Sequence, residues 1–140
     1  MKASLIAFAA SLAVLGGVVS QSAARSSAQV NDGAVLDGAP RDLSEFGFFT
    51  DLPGQQGAGR VTAYELNTPL YSDGADKLRF IYLPNGGRMT ADGEGLLQFP
   101  VGSAIIKTFA FGKGADRRRS ETRLLRRRLD GWVALPYKWN

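Results

Sequence analysis

The chain has 140 residues, 44% of them hydrophobic, and a formal net charge of +4, which is enough apolar material for one domain with a modest core once a leader is subtracted. It contains no Cys and no His, and this excludes disulfide frameworks, CxxC metal sites, covalent haem attachment through CxxCH and every His-dependent catalytic dyad or triad. No other set of residues specifies a reaction, so the sequence points to a non-catalytic domain.

The charge is unevenly placed. Residues 113–128 hold eight Lys or Arg (Lys113, Arg117, Arg118, Arg119, Arg123, Arg126, Arg127, Arg128) against Asp116 and Glu121, while the rest of the chain is slightly acidic. Such a run marks an anionic partner, or an edge strand kept soluble and unpaired by its charge.

In chain order, Met1-Lys2 and the apolar residues 5–19 have the charged start and hydrophobic centre of a secretory signal peptide. Small residues allow cleavage after Ala24, or after Ala28. The run is short for a membrane span, so the expected mature protein is periplasmic or secreted and keeps no span after cleavage. Residues 25–41 are small and polar and read as a flexible linker. Residues 42–140 are the expected folded domain. It opens with one short helical turn in which Asp42 caps, Glu45 is its capping-box partner, and Leu43, Phe46, Phe49 and Leu52 recur at intervals of three. The glycine-rich stretch 53–59 has no strand before it and no periodic helix after it, so it is a loop and not a phosphate cradle.

Residues 61–66 form a short strand, and residues 67–74 a structured loop punctuated by Pro69 and Asp73-Gly74. Alternation in residues 78–83 places Leu78, Phe80 and Tyr82 on a core face, with Arg79, Ile81 and Leu83 opposite. Pro84-Asn85-Gly86-Gly87 is a hairpin signal. Asp92-Gly-Glu94 lacks the spacing of a calcium loop and reads as another hairpin tip. Residues 104–111 are apolar on both faces apart from Lys107 and Thr108, as in a central strand. Lys107 shares a face with Ile105 and Phe109. There it is either a desolvated base, or a lysine that snorkels to the sheet edge or pairs with Glu121.

Residues 117–129 read as a basic strand, with a helix as the alternative, and Asp130-Gly131 turns the chain into residues 132–137. Arginines beside Trp132, Tyr137 and Trp139 superficially suggest a nucleic-acid surface, a ligand an exported protein rarely meets, so no nucleic-acid partner is expected. The apolar ending Lys138-Trp139-Asn140 gives the expectation of a truncated domain. Taken together, the fold class expected is mainly β: an antiparallel, sandwich-like sheet domain with one short N-terminal helix, after a signal peptide and linker.

With those residues in hand, the chain resembles the N-terminal part of a family of exported bacterial proteins described as dihaem c-type cytochromes or as companions of a parallel β-helix repeat protein. The resemblance rests on Leu43-Ser-Glu-Phe-Gly-Phe-Phe49, Tyr64-Glu-Leu-Asn-Thr-Pro-Leu-Tyr-Ser-Asp73, Lys77-Leu-Arg-Phe-Ile-Tyr-Leu-Pro84, Phe99-Pro-Val-Gly102 with Ile106-Lys-Thr-Phe109, Glu121-Thr-Arg-Leu-Leu125 and Asp130-Gly-Trp-Val-Ala-Leu-Pro-Tyr137. It implies a β module that accompanies a c-type cytochrome region, with haem c sites placed downstream of this segment and none in this chain. It also implies a partner that is that cytochrome region or another periplasmic protein. An electron-transfer role would need haem from an adjacent segment. The surfaces expected to bind are Arg117, Arg118, Arg119, Arg126, Arg127 and Arg128 on the basic strand, with Tyr64, Asn67 and Asp73 in the aromatic loop. No metal site and no catalytic residue is expected.

Overall fold

The computed structural model describes residues 29–140; the leader expected over residues 1–24 and the start of the expected linker lie outside the described residues. A short helix α1 (Asp32–Leu36) is followed by a 3-10 turn (Leu43–Phe46) and a two-stranded ribbon, β1 (Phe49–Asp51) and β2 (Gln56–Gly57). The chain continues through β3 (Val61–Ala63), β4 (Asp76–Tyr82), a small hairpin of β5 (Thr90–Ala91) and β6 (Leu97–Gln98), and then β7 (Ala104–Phe111), β8 (Arg118–Arg128) and β9 (Gly131–Lys138). The main sheet is antiparallel throughout, with strand order β3-β4-β7-β8-β9. The domain is therefore mainly β, and residues 118–128 form a strand rather than the alternative helix.

Period-two alternation gives this sheet two unlike faces. In register, Phe80 lies beside Ile106, Leu124 and Leu135, and Tyr82 beside Ala104, Arg126 and Val133. That face is covered by Val30, Val35, Leu43, Phe46, Phe48 and Phe49. Phe46 stacks on Phe48 with ring centroids 5.2 Å apart, and Phe49 meets Phe80 edge-on at 5.0 Å. Each such side chain removed from water contributes about 1.5–3 kcal/mol, so these few aromatics hold the layer down. The covering layer is helix, turn and ribbon.

Two expectations change here. Residues 30–41 are not a linker: Val30 and Val35 are buried and α1 is capped by the Asn31 side chain, which accepts from the Ala34 N–H at 3.0 Å. Two buried valines are too few to show as periodicity in a small, polar stretch, yet they suffice once the sheet supplies a surface. The helical turn after Asp42 forms as expected, with Glu45 accepting from the Asp42 N–H at 2.7 Å, but it ends at Phe46. Gly47 turns left-handed at φ 67°, and Phe49 therefore enters a strand.

The turn at Pro84 closes through the Gly87 N–H and the Pro84 carbonyl at 2.9 Å, but it does not return the chain beside β4. That place is taken by β7, because the intervening residues 88–98 are too polar for a central position and fold on themselves as the β5–β6 hairpin. At the tip of that hairpin Asp92 accepts from the Glu94 and Leu96 N–H groups and from Gln98. The Glu94 bond leads in holding its pKa below the usual carboxylate range. The carboxylate serves its own loop, as a hairpin tip requires.

Candidate functional site

The basic strand β8 runs inside the sheet, between β7 and β9, so protection of a free edge does not account for its charge. The edge strands of the sheet are β3 and, beside the basic strand, β9. There the Trp139 N–H points back to the Ser120 carbonyl at 3.0 Å, and alternation turns the donor-less nitrogen of Pro136 outward, where it blocks pairing.

Alternation also divides the arginines. Arg126 points into the core and is 2% exposed; one of its terminal nitrogens donates to the Ala34 carbonyl at 2.6 Å and the Gly38 carbonyl at 2.7 Å. Burial lowers its pKa, with Arg128 adding to the effect. Arg128 pairs with Asp37 at 2.8 Å and Asp130 at 3.4 Å. Arg117 pairs with Asp76 at 3.3 Å. Arg119 lies over the Trp139 ring at 5.3 Å and Arg127 over the Trp132 ring at 6.0 Å. Arg118 is exposed. All of the six except Arg118 are thus committed to ion pairs, stacking or the core. Asn67 and Asp73 are exposed loop residues, Asp73 sitting in its turn at φ 48°. Of the expected loop residues, Tyr64 alone lines the cleft described next.

On the face opposite the core, β4, β7 and β8 place Arg79, Lys107 and Arg123 directly side by side. The next row is apolar: Ile81, Ile105, Leu125 and Ala134. The row on the other side is Lys77, Phe109, Glu121 and Lys138. Glu121 is the one carboxylate that these strands place on this face among the described residues. It bonds Arg123 at 2.9 and 3.2 Å, and this bond raises the Arg123 pKa. Lys107 therefore has guanidinium groups on both sides, and of the alternatives open to it the pairing with Glu121 is not formed, because Glu121 bonds Arg123. Its ammonium lies 5.2 Å from the Phe109 ring, and the Arg123 guanidinium 4.8 Å from the same ring. Burial leads in lowering the Lys107 pKa, followed by repulsion from Arg123, Arg79 and Lys77.

Like charges directly opposite one another on neighbouring strands are destabilising, so this row is an arrangement that stability alone does not favour. The signal for it was present in the sequence, as a polar residue at the centre of each of three strands. It could not be assembled without the register. A cleft of about 380 Å³ stands over the row, roofed by the loop from Tyr64 to Ser72. The Lys77 ammonium donates to the Leu70 carbonyl, and the Tyr64 N–H donates to the Arg79 carbonyl at 3.0 Å; both bonds tie the loop across the sheet.

Haem, which the family resemblance places downstream of this segment, does not fit the residues here. The chain supplies neither the thiol pair for attachment nor an axial imidazole. Comparison with protein-family models, curated proteins and solved structures gives no match.

Proposed function

We propose that this domain is a non-catalytic binding module whose open sheet face takes an anionic partner. The observation that carries the reading is the register of Arg79, Lys107 and Arg123, three cations abreast with Glu121 as their neighbouring counter-charge. A row under mutual repulsion is relieved when an anion binds, and guanidinium forks match carboxylate geometry. Among the described residues, nothing on this face pairs a nucleophile with a base, which favours binding over catalysis. The leader-like residues 1–24 support a site of action outside the cytoplasm, and the resemblance makes an acidic surface of a c-type cytochrome region, or of another periplasmic protein, the natural partner.

The test uses poly-L-glutamate as a simple acidic partner and compares the wild type with an Arg79→Gln/Lys107→Gln/Arg123→Gln variant across a salt series. Wild-type binding should weaken as salt rises, and the triple variant should lose it. A control with Lys113→Gln and Arg118→Gln, both exposed and outside the row, should bind nearly as the wild type does. Equal losses in both variants would mean that diffuse positive charge, not the row, attracts the polymer.

A further inference from the structure

The cleft over the cationic row is two-sided in chemistry, and this narrows its ligand. Along each strand, side chains on one face recur about 7 Å apart, so the row of Arg79, Lys107 and Arg123 lies one such step from the apolar row that contains Ile105, Leu125 and Ala134. The roof repeats the division. Leu66 and Leu70 line the cleft and are nonetheless 44% and 75% exposed, while the Lys77 side chain is used to hold the Leu70 carbonyl. A flat protein surface would touch the rim and the roof but would not reach Ile105 and Leu125 beneath the loop. A small anion such as acetate would meet the cations and leave the leucines in water.

We propose that this cleft binds an amphipathic carboxylate, a medium-chain fatty acid in chemical class. The head group would lie on Arg79, Lys107 and Arg123, and the hydrocarbon body between Ile105, Leu125 and Ala134 below and Leu66 and Leu70 above. This assignment rests on the reading of the face as anion-binding and gives the cleft a small-molecule ligand of its own, distinct from a protein partner that would meet only the rim and the roof. The arrangement suits such a molecule at both ends: the head separates like charges that the fold has placed together, and the tail covers two leucines that the described residues leave exposed. The loop bonds at Leu70 and Tyr64 hold the cleft open in advance, which limits the ordering cost of binding.

Isothermal titration of the full chain with laurate below its micelle concentration, with dodecanol, and with poly-L-glutamate tests this. Laurate should bind one to one, and dodecanol, which has the chain without the charge, about tenfold or more weaker. Leu66→Ser/Leu70→Ser changes exposed positions only; it should weaken laurate about tenfold and leave poly-L-glutamate unaffected. Arg79→Gln/Arg123→Gln should weaken both ligands. Glu121→Gln, which frees Arg123, should tighten laurate several-fold, a gain that a misfolded variant would not show. If poly-L-glutamate binds through the row and laurate does not bind, the ligand assignment is overturned and the anion-binding reading stands. If neither binds, both are overturned. Laurate binding that ignores the leucine changes overturns the placement in the cleft.

Discussion

Replacing Arg126 by Met tests what fixes α1 to the sheet. The guanidinium is buried beneath the helix with no carboxylate in contact among the described residues; its partners are backbone carbonyls of Ala34 and Gly38, with Val35 at a longer 3.4 Å. These carbonyls lie at the end of α1, where helical bonding stops, and the nearby Asp37 and Gly38 N–H groups are both turned to the Gly33 carbonyl. Met keeps the apolar stem of the side chain but stops short of the guanidinium, whose carbon lies 5.7 Å from the Phe46 ring, so packing along the stem is retained and the stacking at its end is lost.

Two short hydrogen bonds from a charged donor contribute about 1.5–3 kcal/mol each, and leaving their acceptors buried and unpaired is the larger cost of losing them. Against this, Met no longer carries the desolvation penalty of a buried cation, which in other proteins makes apolar replacements neutral or stabilising. The penalty here is real, since the Nε of Arg126 is itself buried without a partner among the described residues. The balance should be a loss of about 3 kcal/mol in urea unfolding with the m value unchanged, or a fall in Tm of roughly 15 °C for a domain of this size. Equal or higher stability would refute the reasoning: the carbonyls would then be finding water, and the penalty of burying the cation would outweigh the bonds it makes.

Four further outcomes follow from the same structure. Lys107→Gln, which removes the centre of the cationic row, should raise stability by about 0.5 kcal/mol, and a decrease on chemical denaturation would show that the row is not repulsive. Tyr137 donates to the Pro40 carbonyl at 3.0 Å, and burial raises its pKa above the ordinary tyrosine value of 10.0; a raised folded pKa gives stability that is complete below 10 and is lost as pH climbs through the folded value. Tyr137→Phe should therefore cost about 1 kcal/mol near neutrality, with the gap to the wild type closing above about pH 10 in a Tm-against-pH series, whereas a constant gap would remove the phenol from the alkaline transition. At Gly47, with φ 67°, an added Cβ would lie 2.6 Å from the Gln29 carbonyl oxygen, so Gly47→Ala should cost about 2 kcal/mol or more and be visible as a lowered urea midpoint. Val35→Ala should cost about 2 kcal/mol by the same measurement, and a cost near zero would return residues 30–41 to the status of a linker.

The strands that carry the domain were legible because their apolar residues alternate, as in residues 78–82, or run continuously, as in residues 104–111, and because Asp130-Gly131 names its own hairpin. What was hidden depended on contacts far apart in sequence. The buried pair of Thr108 and Thr122, with hydroxyls 2.7 Å apart and the Trp139 indole N–H bonded to Thr122 at 2.9 Å, looks in the sequence like two ordinary strand threonines and a terminal tryptophan. The turn at Pro84 does not disclose the partner of β4, because a turn signal states that the chain reverses, not which strand it will meet. The cationic row, whose members are each visible as a polar residue at a strand centre, could not be assembled for the same reason. A cluster such as residues 117–128 is conspicuous in sequence and is dispersed by alternation, whereas Arg79, Lys107 and Arg123 are scattered in sequence and gathered by register.

This dispersal gives the row its meaning. Most arginines of the basic segment have a structural use: Arg126 satisfies helix carbonyls, Arg128 and Arg117 meet carboxylates, and Arg119 and Arg127 cover tryptophans. Each gains from its neighbours in the folded chain alone. Lys107 stands between two guanidiniums and gains from neither; the Phe109 ring at 5.2 Å and the pull of Glu121 are outweighed by burial and repulsion, so its place in the fold is a net cost unless something outside the chain offsets it. Removing the charge should therefore move two quantities in opposite directions, stability up and anion affinity down, as happens where binding rather than folding has shaped a site. A ligand that fits the row should restore what the repulsion takes away, by RT ln(1 + [L]/Kd), about 2.7 kcal/mol at a hundredfold excess over Kd. In the Lys107→Gln protein the same concentration of ligand should give a smaller gain, because the variant has less repulsion to relieve and binds more weakly.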